Sequence, residues 1–273
     1  MQMERNWQVT VQYDGTGYMG WQVQPDQVSI QQRIQEVLKK IYGVEIRIEG
    51  SGRTDAGVHA LGQVFSFKEP RKISLDEKSF HKALNSLLPP EIRLLTARLV
   101  SDDFHARFSA VGKTYIYVLE RSQRSIPFMN RSSWNQRYEL DLELMKQAIA
   151  KFEGVHDFTA FTVKTKSFKG SAVREIFKTE IESWHGLLFL RFTGSGFLYK
   201  MIRSLTGQVV EVGSGLSDIS KIANLFESGC RLKAAQTAPA KGLFLAEVYY
   251  DREELAKRLL VSPSEMFISR FFY

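Results

Sequence analysis

The feature that most constrains the fold is a pattern of apolar spacing that changes period in a fixed order and then starts again. Trp7 to Tyr13 alternates as a strand and ends in the turn composition Asp14-Gly15-Thr16-Gly17. Ser29-Ile30-Gln31-Gln32 offers a capping box, and Ile30, Ile34, Val37, Leu38 and Ile41 keep one helical face as far as Gly43. Val44 to Glu49 and Val64 to Lys68 read as strands. Ser74-Leu75-Asp76-Glu77 repeats the capping pattern before a helix through Phe80, Ala83, Leu84, Leu87 and Leu88, which must stop before Pro89-Pro90. Ile92 to Val100 is a further strand. The resulting order, βαββαβ, is that of a ferredoxin-like unit.

After Phe104 to Ala110 the order resumes. Lys113 to Arg121 reads as a strand, and Leu142, Met145, Ile149 and Phe152 mark a helix ending at Gly154. Glu175 to Ser183 and Leu187 to Phe192 read as a hairpin turned at His185-Gly186. Tyr199 to Val212 is apolar at helical spacing, Ser217 is placed to cap a short helix, and Leu243 to Tyr250 reads as the last strand. The tail from Asp251 starts helical and ends in the apolar run from Met266 to Tyr273, expected to pack on its own domain, with a subunit contact as the alternative. The expectation is an α+β chain of two tandem ferredoxin-like domains, residues 1–108 and 109–273, with antiparallel sheets and a central active-site cleft. A length of 273 residues suits about two domains.

Composition narrows the classes of activity. Cys230 is the only cysteine, and His59, His81, His105, His156 and His185 lack metal-ligand spacing, which argues against disulfides and a catalytic metal. No apolar run is long enough to span a membrane, and Met1 to Trp7 is polar, unlike a signal peptide; a cytoplasmic chain is expected. The net charge of +7 favours polyanionic partners. Basic residues gather at Arg121, Arg124, Arg131 and Arg137, and again at Lys164, Lys166, Lys169, Arg174 and Lys178. Each group reads either as a solvated face or as part of a phosphate-tracking groove.

Gly50-Ser51-Gly52-Arg53-Thr54-Asp55-Ala56-Gly57-Val58-His59 sets one carboxylate in a glycine-rich loop between strands. Arg53 and His59 surround Asp55 with donors, and a carboxylate beside an arginine stays ionised. Asp55 is thus either the reactive group or a turn residue of ordinary kind. In the second half Tyr115 and Tyr117 share one strand face, as core or as a surface for a base. Arg203 follows a Gly194-Ser195-Gly196 turn, on the face of Tyr199 and among Met201, Ile202 and Leu205, where a guanidinium needs an anion. That anion is either a local carboxylate or Asp55.

Arg53-Thr54-Asp55-Ala56-Gly57-Val58-His59-Ala60 with Gly62-Gln63-Val64 resembles the active-site motif of the TruA family of tRNA pseudouridine synthases. Further motifs follow in order: Tyr13-Asp14-Gly15-Thr16 with Gly20-Trp21-Gln22, Leu84-Asn85 with Leu88-Pro89, and Phe104-His105-Ala106-Arg107 leading to Lys113-Thr114-Tyr115. His156-Asp157-Phe158 with Phe161, Phe197 to Arg203, and Ala238 to Leu245 complete the set. The resemblance implies that Asp55 is the catalytic aspartate, Arg203 its ion-pair partner, and Tyr115 the aromatic that stacks on the target base. It also implies that Arg53 helps displace the base and that Leu245 lines the pocket; His59 and Lys113 complete the candidate substrate-binding set. The reaction implied breaks the uridine glycosidic bond, turns the base and rejoins it through carbon five. No cofactor or metal is implied, the substrate is a uridine on the 3′ side of the tRNA anticodon stem-loop, and the enzyme is a homodimer. Asp55 could attack the sugar, attack the base or remove a sugar proton; each needs an ionised, positioned carboxylate.

Two other classes compete. A nucleoside or glycoside hydrolase normally needs two carboxylates, and Asp14, the one comparable acid, reads better as a turn residue. A non-catalytic RNA-binding protein has no use for a carboxylate facing phosphates.

Overall fold

The alternation that begins at Trp7 forms strand β1 (Asn6–Tyr13) in a computed structural model that describes residues 5–70, 73–163 and 170–272. Next come α1 (Ile30–Tyr42), β2 (Glu49–Gly50), β3 (His59–Lys68), α2 (Glu77–Leu87) and β4 (Ile92–Val100). The second half supplies β5 (Gly112–Arg121), β6 (Trp134–Gln136), α3 (Leu142–Ala150), β7 (Gly154–Asp157), β8 (Val173–Trp184) and β9 (Leu187–Gly194). It ends with α4 (Met201–Gly213), α5 (Ser220–Ser228), β10 (Leu243–Tyr249), α6 (Arg252–Arg258) and α7 (Pro263–Phe272). Helices and sheet are mixed throughout, and the chain forms two compact units, Met1–Val111 with Leu245–Arg252, and Gly112–Phe244 with Glu253–Tyr273.

In the first unit the strands lie in the order β4-β1-β3-β10, with β2 on β3. The antiparallel register sets Val9 opposite Phe65 on one side and Ala97 on the other. Trp7, Phe67, Phe80 and Tyr42 form the aromatic centre, with Trp7 and Phe80 stacked at 4.6 Å between ring centroids. Helix α1 forms where its spacing predicts. The Ser29 hydroxyl accepts from Gln32 N at 3.2 Å, and Gly43 ends the helix at φ 71°, a conformation that costs glycine little. Helix α2 stops at Leu88, whose extended backbone is what the following proline demands.

Two expectations for this unit fail for physical reasons. Val44 to Ile48 is not a strand, because side chains of α1 take the carbonyls that a sheet would need: Gln35 Nε2 donates to Ile46 O at 2.9 Å and Gln31 Nε2 to Ile48 O at 3.0 Å. Only Glu49 and Gly50 pair with β3. The α2 cap is Asp76 rather than Ser74: Asp76 Oδ1 accepts from Ser79 N at 2.8 Å, while the Ser74 hydroxyl takes a bond from Arg5.

In the second unit the order is β5-β9-β8-β7, with the short β6 parallel to β5. The predicted hairpin is present: Trp184 faces Leu187, and both turn residues, His185 at φ 46° and Gly186 at φ 81°, are left-handed, as a type I′ turn requires. Helix α4 starts at Met201, two residues later than its apolar spacing suggests, because Lys200 sits at φ 59° and breaks the helical run. Ser217 does not cap α5; Asp218 Oδ1 accepts from Ser220 N at 2.7 Å instead. The tail packs on its own unit, with Met266 and Phe267 buried and the Phe267 ring 5.3 Å from Phe189 and 4.9 Å from Phe244. Glu182 holds the start of α7, accepting from Ser264 N at 2.7 Å and from its hydroxyl at 2.8 Å. The basic residues Lys164, Lys166 and Lys169 lie outside the described residues. Among the described residues no helix is long and apolar enough to cross a membrane.

Candidate active site

The Asp55 loop is fastened on three sides by its own unit. From the strand that follows it, Gln63 reaches back: its Nε2 donates to Gly52 O at 2.9 Å, and its Oε1 accepts from the Ser51 hydroxyl at 2.7 Å. From β1, the Tyr13 hydroxyl lies 2.8 Å from the Thr54 hydroxyl, one residue before Asp55. Burial holds the Tyr13 phenol well above its ordinary pKa, so it stays neutral and keeps its proton for bonding. From the turn after β1, Trp21 N donates to Thr54 O at 3.1 Å and Gly57 N to Tyr18 O at 3.3 Å.

Close backbone approach explains the glycines around this loop. A Cβ on Gly20, itself at φ 86°, would fall 2.5 Å from Thr54 O and 3.0 Å from the Asp55 carbonyl carbon. A Cβ on Gly15 would fall 2.1 Å from Val58 O. Two strands of backbone therefore touch where no side chain fits. Asp55 opens a tight turn, its carbonyl accepting from Val58 N at 3.1 Å with Gly57 at φ 75°, and remains half-buried while Ser51 and Thr54 on the same loop are buried.

The other first-unit candidates divide. Arg53 is exposed beside Asp55 in the sequence, and its Nε donates to Gln22 Oε1 at 3.2 Å. His59 is buried, and its Nδ1 lies 3.1 Å from Gly15 N and 3.1 Å from Asp14 Oδ1. It ties β3 to the turn after β1. Asp14 Oδ1 also accepts from Thr16 N at 2.8 Å, the turn role expected of it. Leu245 is fully buried on β10.

In the second unit Lys113 and Tyr115 sit on β5, opposite Gly194 and Phe192 of β9. Tyr115 meets the Phe197 ring edge to face at 5.2 Å, which fixes the plane of its phenol. Tyr117 is fully buried, and its hydroxyl donates to Pro239 O at 2.8 Å. Burial raises its pKa, with the Arg203 charge opposing. Arg203 on α4 clasps the following segment in both directions: its Nε donates to Ala238 O at 2.8 Å, and its own carbonyl accepts from Ala238 N at 3.0 Å. Gly207, one helical turn on, lets that segment approach, since a Cβ there would fall 2.0 Å from Gln236 O.

Reading by spacing does not single out Gln63, Gln31 or Phe197. Gln63 has a visible signal, a long amide among the apolar residues Leu61, Val64 and Phe65 of its strand. Gln31 is likewise a buried polar residue at the edge of an apolar helix face, with Oε1 accepting from Gln22 Nε2 at 2.8 Å and so steadying the partner of Arg53. Phe197 gives none, since its contact with Tyr115 depends on tertiary packing.

A family model described as tRNA pseudouridine synthase matches residues 9–109 and 148–251. The tRNA pseudouridine synthase A of Latilactobacillus sakei subsp. sakei is 42% identical over 252 residues, spanning 91% of this chain and 100% of the relative. That of Thermodesulfovibrio yellowstonii is 42% identical over 90% of this chain and 99% of its own length. That of Syntrophotalea carbinolica is 42% identical over 88% and 94%. Asp55 and Arg203 fall inside the residues that the family model matches and Tyr115 between its two matched segments, and the chain belongs to the tRNA pseudouridine synthase A family.

Proposed function

We propose that this enzyme isomerises uridine to pseudouridine on the 3′ side of the tRNA anticodon stem-loop, acting as a cytoplasmic homodimer without cofactor or metal. The observation that carries the reading is the state of Asp55: the backbone on either side of it is bonded to Tyr18, Trp21 and Gln63, yet the residue itself is only half-buried. A carboxylate held this way needs little reorganisation when it meets a reacting atom.

In the reaction the C1′–N1 bond of uridine breaks, the uracil ring turns, and a C1′–C5 bond forms. The hydrogen on C5 leaves as a proton and N1 gains one, so atoms and charge balance. Asp55 is the group that acts on sugar or base, with Arg203 as its ion-pair partner, and Tyr115 stacks on the uracil as it turns. Arg53 enters the stem to displace the base, Lys113 and Leu245 bound the base pocket, and His59 supports the loop from behind through the Asp14–Gly15 turn. Each half of the chain is a ferredoxin-like domain, the first carrying Asp55 and the second Tyr115 and Arg203.

The test is to incubate purified protein with unmodified tRNA and map pseudouridine by nuclease digestion and mass spectrometry. Pseudouridine confined to the 3′ side of the anticodon stem-loop supports the reading; pseudouridine elsewhere, or none, contradicts it.

A further inference from the structure

Between β5 and β6 the chain leaves the sheet at residue 122 and returns parallel to the strand it left, pairing Leu119 with Trp134. From Arg121 to Tyr138 the sequence has four arginines and no aspartate or glutamate. The preceding acid, Glu120, is buried and turned into the loop, accepting from Ile126 N at 2.7 Å with the Ser133 hydroxyl 3.4 Å away. Asn135 Nδ2 closes the loop base on Ser122 O at 2.8 Å, and Lys241 Nζ holds the tip at Asn130 Oδ1, also 2.8 Å. Trp134 packs edge to face on Tyr117 at 6.2 Å, which anchors the loop to the strand that carries Tyr115.

This bonded frame holds its apolar residues outward. Phe128, on a single turn of 3-10 helix, is 95% exposed, and Tyr138 just past β6 is 76% exposed. Arg121, Arg124, Arg131 and Arg137 are exposed around them. An aromatic ring held in water by a braced loop gives up burial and gains nothing within its own unit. Rings interleaved with arginines, in a stretch from Arg121 to Tyr138 that itself carries no carboxylate, are the chemistry of a surface that stacks on bases and tracks a ribose-phosphate chain.

We propose that residues 121–133 form an RNA-contact arm in which Phe128 stacks on a tRNA nucleobase other than the reacting uridine while Arg121 and Arg124 pair with flanking phosphates. The inference rests on tRNA being the substrate. The arm serves affinity and placement of the tRNA and takes no part in the chemistry.

The test measures the Kd for an unmodified tRNA transcript in the Asp55→Asn background, and KM and kcat for tritium release in the otherwise wild-type chain. Phe128→Ala is expected to raise Kd and KM about tenfold with kcat within about twofold, the loss of one stacked base. Phe128→Trp should retain affinity and show indole quenching on tRNA binding beyond that of the wild-type chain. Arg124→Gln should make the dependence of log Kd on log salt shallower by about one. The proposal is overturned if Phe128→Ala leaves Kd and KM within about twofold of wild type. It is equally overturned if that variant turns a dimer into a monomer in sedimentation with tRNA affinity intact, for then the loop is a protein contact. Tritium release with an unaffected Phe128→Ala would sink only the arm; a wild type that binds tRNA through Phe128 without turnover would sink only the synthase reading.

Discussion

The hydroxyls of Tyr13 and Thr54 lie 2.8 Å apart in the buried interior, so strand β1 is bonded directly to the residue before Asp55. Removing the phenolic hydroxyl leaves the Thr54 hydroxyl buried without that partner. Tyr13→Phe is expected to destabilise the protein by about 1–2 kcal/mol, visible in denaturant unfolding, and to slow turnover by loosening the Asp55 loop. Thr54→Val in the same background should add little further loss, since the two hydroxyls form one pair.

Gly20→Ala is expected to cost activity more than its size suggests. The new methyl would meet Thr54 O at 2.5 Å in a backbone at φ 86°, and the segment that must yield is the one bearing Asp55. Tritium release should fall by about tenfold or more, the cost of misplacing a reacting group by a fraction of an ångström to an ångström. Gly17→Ala has open space around its Cβ and a similar φ of 82°, so it separates backbone strain from the clash.

Stability should fall on the alkaline side. Burial raises the phenols of Tyr13, Tyr42 and Tyr117 well above their ordinary value of 10.0, and for Tyr42 the bond to Glu69 adds to the rise. A group whose folded pKa is raised contributes stability that is complete below the unfolded pKa and is lost as pH climbs toward the folded one. Unfolding free energy should therefore be insensitive to these groups up to about pH 9 and decline above about pH 10, each phenol contributing about 1.4 kcal/mol per pH unit. Equilibrium denaturation from pH 8 to 11 checks the sign, and Tyr13→Phe should decline less steeply.

Much of the fold is legible because local signals and tertiary demands agree. Ser29, Gly43 and the His185-Gly186 turn are where sequence rules and observed dihedrals coincide. Apart from the late start of α4 at the left-handed Lys200, the misreadings arise where a side chain takes a bond expected of another group. The alternation of Ile46 and Ile48 is real, and both are buried, but Gln31 and Gln35 of α1 satisfy the carbonyls that would have built a ladder. Asp76 and Asp218 take the capping roles expected of Ser74 and Ser217 because each lies nearer the first free N–H groups. At the site, Asp55 stands out in its loop, whereas the bracing by Gln63 and the Phe197 contact of Tyr115 join residues that only the folded chain brings together.

Arg203→Ala should impair both activity and folding. The bond from Nε to Ala238 O disappears, and with it one half of the reciprocal clasp that fixes the segment leading to β10. Loss of turnover with about 1–3 kcal/mol lower stability is expected, and Arg203→Lys should recover more of the stability than of the activity, since a single ammonium cannot reproduce the planar donor geometry.

The central claim is that Asp55 performs the chemistry, and it is tested most directly with tRNA tritiated at uridine carbon five, in EDTA, with wild type beside Asp55→Asn. The account predicts tritium release by wild type without free uracil, and none by Asp55→Asn, whose tRNA affinity stays within a few-fold. Tritium release by Asp55→Asn at the wild-type rate, or free uracil in the wild-type reaction, would contradict it.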